Sequence, residues 1–156
     1  MKSEVLPGSD YIAWYEPRLQ AKRNQSLKPD FIVWGNTLGL IILEIKGWTI
    51  DGIKEWNDSE MKSNDGKSYK NPERQAIDYV NTAMSNLQKK AALCCKDGQY
   101  KGKLKFPVSY GVILTNITRS EFINKLGNSI HSNKILFSDD LLKIENGEGT
   151  LLIDFL

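Results

Sequence analysis

The aliphatic run LGLIILEIKGW, residues 38–48, constrains the fold of this chain more than any other segment. Four large aliphatic residues in succession predict a strand that is buried in a hydrophobic core. Yet Glu44 and Lys46 stand inside the far end of the same run. A buried charge is costly unless it is paired or bound to a metal. Two hypotheses follow: either the strand has reached solvent by Glu44, or the two charges are held there for a purpose.

The segment 29–48 predicts an antiparallel hairpin. Pro29 precedes a short apolar strand, the sequence Gly-Asn-Thr turns the chain, and the aliphatic strand returns. Residues 11–19, YIAWYEPRL, alternate in the manner of a further strand. Together these segments predict a meander of three antiparallel strands.

The remaining elements predict a helix and further strands after the meander. The polar segment 49–70 is long enough to contain a lid or an extra hairpin. Asn71 can cap a long helix that has Pro72 in its first turn. The apolar stripe of that helix consists of Ile77, Val80, Met84, Leu87 and Ala91.

The last third of the chain predicts α-β crossovers. A buried strand over residues 106–116 leads to a helix that Thr118 or Ser120 can cap. The segment 133–144 is a short strand that runs into a helical turn. The predicted order is β-β-β-α-β-α-β. It indicates an α/β fold with a mixed sheet flanked by helices.

The length of 156 residues predicts one domain over residues 1–156. The adjacent Cys94 and Cys95 cannot form a disulfide framework, and with one histidine they do not have the usual spacing of a zinc site. They are expected to pack near a helix end. The N-terminus has no signal-peptide pattern, and no run approaches about 18 apolar residues. The cytoplasm is therefore the expected location.

The basic residues are clustered although the net charge is only +2. Residues 89–105 hold six lysines and one aspartate, and residues 18–28 hold four bases and no acid. Such clusters are typical of solvated loops, and they are also typical of surfaces that bind a phosphate backbone. The candidate nucleic-acid contacts are Arg18, Lys22, Arg23, Lys101, Lys103 and Lys105.

The hairpin geometry brings Asp30 close to Glu44. If the hairpin turns about Thr37, these residues lie directly opposite each other, with Cβ atoms about 4.5–5.5 Å apart. Lys46 shares the face of Glu44 because side chains alternate along a strand. Two carboxylates that close repel each other, and a divalent cation between them removes the conflict. We therefore expect two carboxylates and one ammonium to converge at the end of the hairpin.

That arrangement favours chemistry on phosphate. Pairs of oxygen ligands suit Mg²⁺, which keeps several waters and bridges to phosphate oxygens. The backbone carbonyl of Ile45 can complete the ligand set, and Lys46 can orient or deprotonate an attacking water. The alternative interpretation is an outward-facing Glu-x-Lys pair that has arisen by chance.

The predicted helix adds a second pair of polar side chains. Gln75 and Tyr79 are four residues apart and share one face, so they can place an amide and a phenol beside a phosphate. The alternative is a solvent-exposed glutamine and a half-buried tyrosine.

These residues carry a resemblance to known nucleases. Pro29-Asp30 followed by Glu44-Ile45-Lys46 resembles the PD-(D/E)xK signature, and Gln75 with Tyr79 resembles the QxxxY motif of its exonuclease and helicase-linked branches. The segments ILEIKGW, NPERQAIDYV and FPVSYGVILTNITRSEF are similar to parts of the nuclease-related domain, NERD, that precedes some superfamily-one DNA helicases. The similar segments extend over residues 29–140.

The resemblance implies a restriction-endonuclease-like core and Mg²⁺-dependent cleavage of DNA, with Mn²⁺ as a substitute, in repair, recombination or processing. By position, Asp30 and Glu44 would bind the metal, Lys46 would assist the attacking water, and Gln75 and Tyr79 would position these groups or the DNA backbone. It also implies a helicase partner in cis or in trans. The alternative function is a DNA-binding accessory module that does not cut.

The family usually has a helix with an acidic residue ahead of the meander, but only ten residues precede Tyr11. We expect that helix to be truncated or replaced, or the site to work with fewer acids.

Overall fold

A computed structural model gives the structure of the protein and describes residues 3–5, 11–21, 25–127 and 133–147. The strands are β1 (Ser3–Val5), β2 (Tyr11–Tyr15), β3 (Leu19–Gln20), β4 (Ser26–Leu27), β5 (Phe31–Gly35), β6 (Gly39–Thr49), β7 (Ile53–Trp56), β8 (Glu60–Ser63), β9 (Ser68–Lys70), β10 (Val108–Asn116) and β11 (Ile135–Phe137). The helices are α1 (Pro72–Leu87), α2 (Arg119–Leu126) and α3 (Ser138–Glu145).

Within the described residues, the main sheet has six strands in the order β1-β2-β5-β6-β10-β11. The pairs β1–β2, β2–β5 and β5–β6 are antiparallel, whereas β10 and β11 are parallel. The short strands β3 and β4 form a separate ribbon. The sheet is therefore mixed, and the predicted α/β class with a restriction-endonuclease-like core is confirmed.

The predicted hairpin is present, and its register is the predicted one. Phe31 pairs with Leu43 and Gly35 with Gly39, as a turn about Thr37 requires. Because β2 pairs antiparallel with β5, the three-stranded meander is confirmed as well. The strand β2 is shorter than predicted and ends at Tyr15.

A strand, rather than a helix, precedes the meander in the described part of the chain. The backbone of Ser3–Val5 pairs antiparallel with β2. The expectation that the family's first helix is truncated or replaced, or that the site works with fewer acids, stays a prediction.

The described residues form two compact units. The first combines Met1–Leu43 with Ala76–Tyr110, and the second combines Glu44–Gln75 with Gly111–Leu156. The single domain over residues 1–156 stays a prediction. No helix in the described ranges is both long enough and apolar enough to cross a membrane.

In the first unit, α1 packs on the hairpin. Ile32 of β5 and Ile42 of β6 form a buried cluster with Tyr79 and Ala83 of the helix. The predicted stripe is only half-buried, and its last member, Ala91, is exposed beyond the end of α1. The buried face of α1 is shifted from the predicted stripe because small residues such as Ala83 let the helix backbone lie close to the sheet. The prediction counted only large apolar side chains.

Asn71 caps α1 as predicted. Its side-chain oxygen accepts hydrogen bonds from the backbone N–H groups of Glu73, at 2.8 Å, and Arg74, at 3.4 Å. The side-chain amide also donates to the carbonyl of Asn57, at 2.7 Å. Such a cap is worth about 1 kcal/mol, and here it also joins the start of the helix to the loop between β7 and β8.

The second unit contains the predicted insertion in the form of a small sheet. Strands β7, β8 and β9 pair antiparallel, which confirms the extra hairpin. Trp56 of β7 contacts Phe122 of α2 edge-on, with ring centroids 5.2 Å apart, and Phe122 contacts Phe137 of β11. Thr118 caps α2 and forms a capping box with Glu121. The insertion is thus part of the core of this unit.

We expect Gly39→Ala to lower the free energy of unfolding by roughly 2–5 kcal/mol. Gly39 has a φ of 77°, where an L side chain costs about 1–2 kcal/mol. An added Cβ would also lie 2.8 Å and 2.9 Å from the ring carbons of Pro107, which overpacks the site. Chemical denaturation measures the loss.

Gly66→Ala is the matched control, because Gly66 has a φ of 83° but an added Cβ meets nothing within 4 Å. It should lose only the backbone part, about 1–2 kcal/mol. Equal losses in the two variants would show that Pro107 does not restrict Gly39.

Candidate active site

Glu44 is a buried acid in the aliphatic strand β6. It is 3% exposed, and Ile41 and Ile42 before it are also buried. Its Oε1 accepts a hydrogen bond from the ammonium of Lys46, whose side chain is 19% exposed. The strand has therefore not reached solvent at Glu44, and an outward-facing pair is excluded as well.

The buried ion pair is not explained by stability. Removing two charges from water costs several kcal/mol for each ion, and well-packed apolar residues of similar volume often stabilise a core equally or better. Because side chains alternate along β6, Glu44 and Lys46 lie on the same face of this one strand. The cost of burying the pair makes Glu44 and Lys46 the leading candidates for functional residues of β6.

Trp48 continues the same face of β6 beyond Lys46. The ammonium of Lys46 lies 5.5 Å from the centroid of the Trp48 ring. A cation over a tryptophan face is attracted by about 0.5–1 kcal/mol at exposed sites and more when desolvated. Lys46 is thus held between a carboxylate and an aromatic ring.

Asp30 is half-buried and directly precedes β5. Its carbonyl accepts a hydrogen bond from the backbone N–H of Glu16, at 2.8 Å, and Pro29 before it is fully buried. The hydroxyl of Tyr79 donates a long hydrogen bond, 3.5 Å, to the carbonyl of Lys28. The backbone around Asp30 is therefore fixed from two sides.

Gln75 and Tyr79 lie one turn apart on α1, and only Tyr79 is deeply buried. Tyr79 is 6% exposed, whereas Gln75 is half-buried in the first turn of the helix. The alternative of an exposed glutamine and a half-buried tyrosine is therefore wrong. Tyr79 thus contacts the segment that leads to Asp30 through the carbonyl of Lys28.

Glu16 is a residue of this region that the sequence did not indicate. Its φ of 46° lies in the left-handed region, which non-glycine residues rarely adopt. Such strain is concentrated at functional sites. Its carboxylate forms an ion pair with Lys28, at 2.6 Å. The sequence does not predict this conformation, because a residue that precedes a proline, as Glu16 does, is expected to have an extended backbone.

The separation of the Asp30 and Glu44 carboxylates stays a prediction. The observed pairing of β5 and β6 ends at Phe31 and Leu43, which are the chain neighbours of the two acids. Asp30 belongs to the first compact unit and Glu44 to the second. The role of the Ile45 carbonyl also stays a prediction. Within the described ranges, no group of three or more His, Cys, Asp or Glu side chains forms a metal-ligand cluster.

The candidate nucleic-acid contacts are exposed wherever they are described. Arg18, Lys101, Lys103 and Lys105 all face solvent. Lys22 and Arg23 lie outside the described residues.

The lysine loop, residues 95–105, has a defined backbone. Cys95 donates to the carbonyl of Lys103, and Gly102 donates to the carbonyl of Cys95, both at 2.9 Å. The Lys105 ammonium donates to the carbonyl of Ala92, at 2.8 Å. Cys94, beside the loop, is buried near the end of α1, as expected. The loop therefore presents its lysines from an ordered turn.

A pocket of about 470 Å³ lies beside Trp48 in the second unit. Its lining includes Gly47, Gly52, Asp65 and Tyr69. The pocket was not predicted, although its lining residues all lie between residues 47 and 69, because its shape depends on how the strands of this segment pack against each other.

One family model matches the chain. It describes the nuclease-related domain, NERD, and it matches residues 2–115, most of the 156 residues. The chain belongs to the nuclease-related domain family. The matched range contains the hairpin, the Glu44–Lys46 pair and α1. Comparison with curated proteins and with solved structures gave no match. Membership of the NERD family indicates a nuclease-related function.

We expect the Asp65 carboxyl at the pocket rim to titrate with a pKa of about 2, well below its ordinary value of 3.8. The Lys67 ammonium, the Ser63 hydroxyl and the Lys67 backbone N–H all donate to it. Carboxyl ¹³C shifts followed through an acid titration measure the pKa. Lys67→Met should raise the pKa of Asp65, because the ammonium is the largest cause of the shift.

The sign for stability follows from the lowered pKa. The ionised carboxylate favours the folded state at pH values above about 4, where the unfolded chain is also ionised. This contribution is lost as the pH falls from about 4 through about 2. An Asp65 pKa that Lys67→Met leaves unchanged would contradict the contact.

Proposed function

We propose that this NERD protein is a metal-dependent deoxyribonuclease that hydrolyses phosphodiester bonds of DNA during repair, recombination or processing. The observation that carries the proposal is the buried Glu44, paired with Lys46 on the strand that follows the Pro-Asp segment. A charged pair in so costly a place is expected where the charges perform chemistry. Family membership supports the nuclease class.

Asp30 and Glu44 would hold Mg²⁺, with the carbonyl of Ile45 as a further oxygen ligand. The basis for this proposal is the sequence pattern, in which the two acids stand at matched positions of one predicted hairpin. The donor set fits, because Mg²⁺ in proteins uses one or two carboxylates together with waters and substrate phosphates. When bound, Mg²⁺ or Mn²⁺ lowers the pKa of a water and neutralises charge on the phosphoryl group.

The residues of the chain would orient the reacting groups. The Lys46 ammonium, held by Glu44 and the Trp48 ring, would donate a hydrogen bond to the attacking water or to a non-bridging phosphate oxygen. The water oxygen bonds to phosphorus, the phosphorus–oxygen bond to the leaving group breaks, and the proton of the water is transferred to the leaving oxygen through solvent. One phosphomonoester and one hydroxyl result. Gln75 and Tyr79 would position the metal-site groups or the DNA backbone, and the contact of Tyr79 with the carbonyl of Lys28 supports this role for Tyr79.

A second function keeps the same surface without cleavage. In this case the protein is a DNA-binding accessory module that acts with a helicase in cis or in trans. The exposed lysines of the ordered loop favour DNA binding in either case. Cleavage assays on single-stranded, duplex and branched DNA, with Mg²⁺ or Mn²⁺ against EDTA, separate the two functions.

In these assays Lys46→Ala is expected to reduce metal-dependent cleavage at least roughly 100-fold while DNA affinity in EDTA changes little. The ammonium acts on the transition state, so its loss should lower the rate of the chemical step. Since the variant leaves the buried Glu44 without its ion-pair partner, its unfolding free energy should also be measured, with and without Mg²⁺.

Lys62→Ala is the matched control. Lys62 is also paired with glutamates, Glu55 and Glu60, but it lies on β8 and is well exposed. It should cleave at the rate of the unmodified protein. A folded Lys46→Ala variant with full activity would refute the role of Lys46, and DNA binding without any cleavage by the unmodified protein would favour the accessory module.

Replacement of Lys101, Lys103 and Lys105 by glutamine should weaken DNA binding similarly for all sequences. Each phosphate contact that is lost should flatten the dependence of log affinity on log salt by roughly one unit. Fluorescence anisotropy over a salt series measures this slope.

The single variant Lys105→Gln separates the contribution of Lys105 to DNA binding from the contributions of Lys101 and Lys103. The Lys105 ammonium already donates to the carbonyl of Ala92, so its loss should change the slope least. An unchanged slope in the triple variant would place the DNA elsewhere, for example along Arg18, Lys22 and Arg23.

A further inference from the structure

The pocket beside Trp48 has aromatic walls. The rings of Trp48 and Tyr69 lie 5.7 Å apart and are tilted by 52°, and Trp56 packs edge-on behind Trp48 at 6.3 Å. Trp56 is buried, Trp48 is half-buried, and Tyr69 is 40% exposed. The aromatic group is thus anchored in the core at one end and accessible to solvent at the other.

The polar groups at this pocket are two carboxylates together with hydroxyl and amide groups. Asp51 and Asp65 line it, and the described lining residues include no lysine or arginine. Asn64 is held at the rim by donating to the carbonyl of Asp51. Because the Lys67 ammonium pairs with Asp65, at 2.7 Å, Asp51 carries most of the negative charge of the rim. The walls and the rim suit a flat aromatic ring that carries hydrogen-bond donors on its edge.

The position of the pocket connects it to the proposed chemistry. Gly47 and Trp48, which line it, follow Lys46 directly on β6, and the Lys46 ammonium lies over the Trp48 ring. A ligand with an anionic group at Lys46 and a flat ring at Trp48 has the two chemical parts of a nucleotide. The volume of about 470 Å³ is within the range of about 300–1,000 Å³ that is usual for small-molecule sites.

We propose that this pocket binds one unpaired nucleobase of the DNA strand whose phosphate lies at Lys46. The base stacks on Trp48 and Tyr69, which accept any base because every base has a π-face. The acidic rim favours bases with exocyclic amino groups. Because a base must leave its stack to enter a pocket, the substrate class is single-stranded DNA or a frayed or branched end. The identity of the strand rests on the proposed nuclease function.

A cationic ligand is the main competitor for an aromatic pocket with an acidic rim. However, the ammonium of Lys46 already lies over the face of Trp48. A second cation at that ring would be repelled by it. The observed cation therefore favours a neutral ring as the occupant.

The test is equilibrium binding of a short fluorescein-labelled single strand, compared with an abasic strand of the same length, by anisotropy in EDTA. Tyr69→Ala should weaken binding of the normal strand by about 5-fold to about 140-fold, the range that corresponds to the loss of one stacked base. It should leave the abasic strand unaffected. Tyr69→Phe should bind like the unmodified protein.

Two further variants control for folding and for general aromatic loss. Tyr11→Ala removes a tyrosine of matched exposure, 42%, in the first unit, and should change neither strand's affinity. Tyr69→Leu keeps apolar bulk beside Trp48 and lacks an aromatic face, so it should lose affinity for the normal strand even if Tyr69→Ala does not fold.

The outcomes separate this pocket from the proposed nuclease. If Tyr69→Leu affects normal and abasic strands equally, or affects neither, the proposal that the pocket binds a nucleobase is refuted. The proposed nuclease function is not affected by this outcome. Base-dependent binding in a protein that never cleaves would support the pocket and refute the nuclease. Quenching of tryptophan fluorescence by tetramethylammonium but not by the normal strand would reassign the pocket to a cation.

Discussion

The ion pair of Glu44 and Lys46 is the interaction on which the proposed site depends. A carboxylate that is 3% exposed among aliphatic residues requires a compensating charge, and β6 supplies it two residues later on the same face. Because one strand carries both groups, no loop movement alters their spacing. Groups held by strands keep their geometry better than groups on loops. The same strand then continues to Trp48, so charge and aromatic surface follow each other in a fixed order.

Local signals made the hairpin and the helix start predictable. The turn at Gly35, Asn36 and Thr37 sets the register of β5 and β6, and Asn71 with Pro72 marks the first turn of α1. Both features depend on residues that are close in sequence. For this reason the fold class and the shared face of Glu44 and Lys46 followed from the residues alone.

Features that depend on distant residues were not predictable in the same way. The buried face of α1 is centred on Ala76, Tyr79 and Ala83, because close packing on the sheet favours small side chains over the larger apolar stripe. The pocket near Trp48 is built within residues 47–69, but its shape depends on how β6, β7, β8 and β9 pack, which no periodicity encodes. The hairpin pattern predicts that the Cβ atoms of Asp30 and Glu44 lie close together, but the direction of the two side chains depends on packing and on any bound ion, which no pattern encodes.

The backbone of Glu16 shows a conflict between stability and precision. A residue with a positive φ before a proline costs free energy, and glycine would adopt the same φ without strain. Glycine would also make the unfolded chain more flexible and remove the ion pair with Lys28, so the segment that ends at Asp30 would be held less firmly. In a chain that is selected for thermal stability alone, glycine would be expected to replace glutamate at position 16. Directed evolution toward heat tolerance should therefore reach this position early, at the expense of a firmly held Asp30 segment.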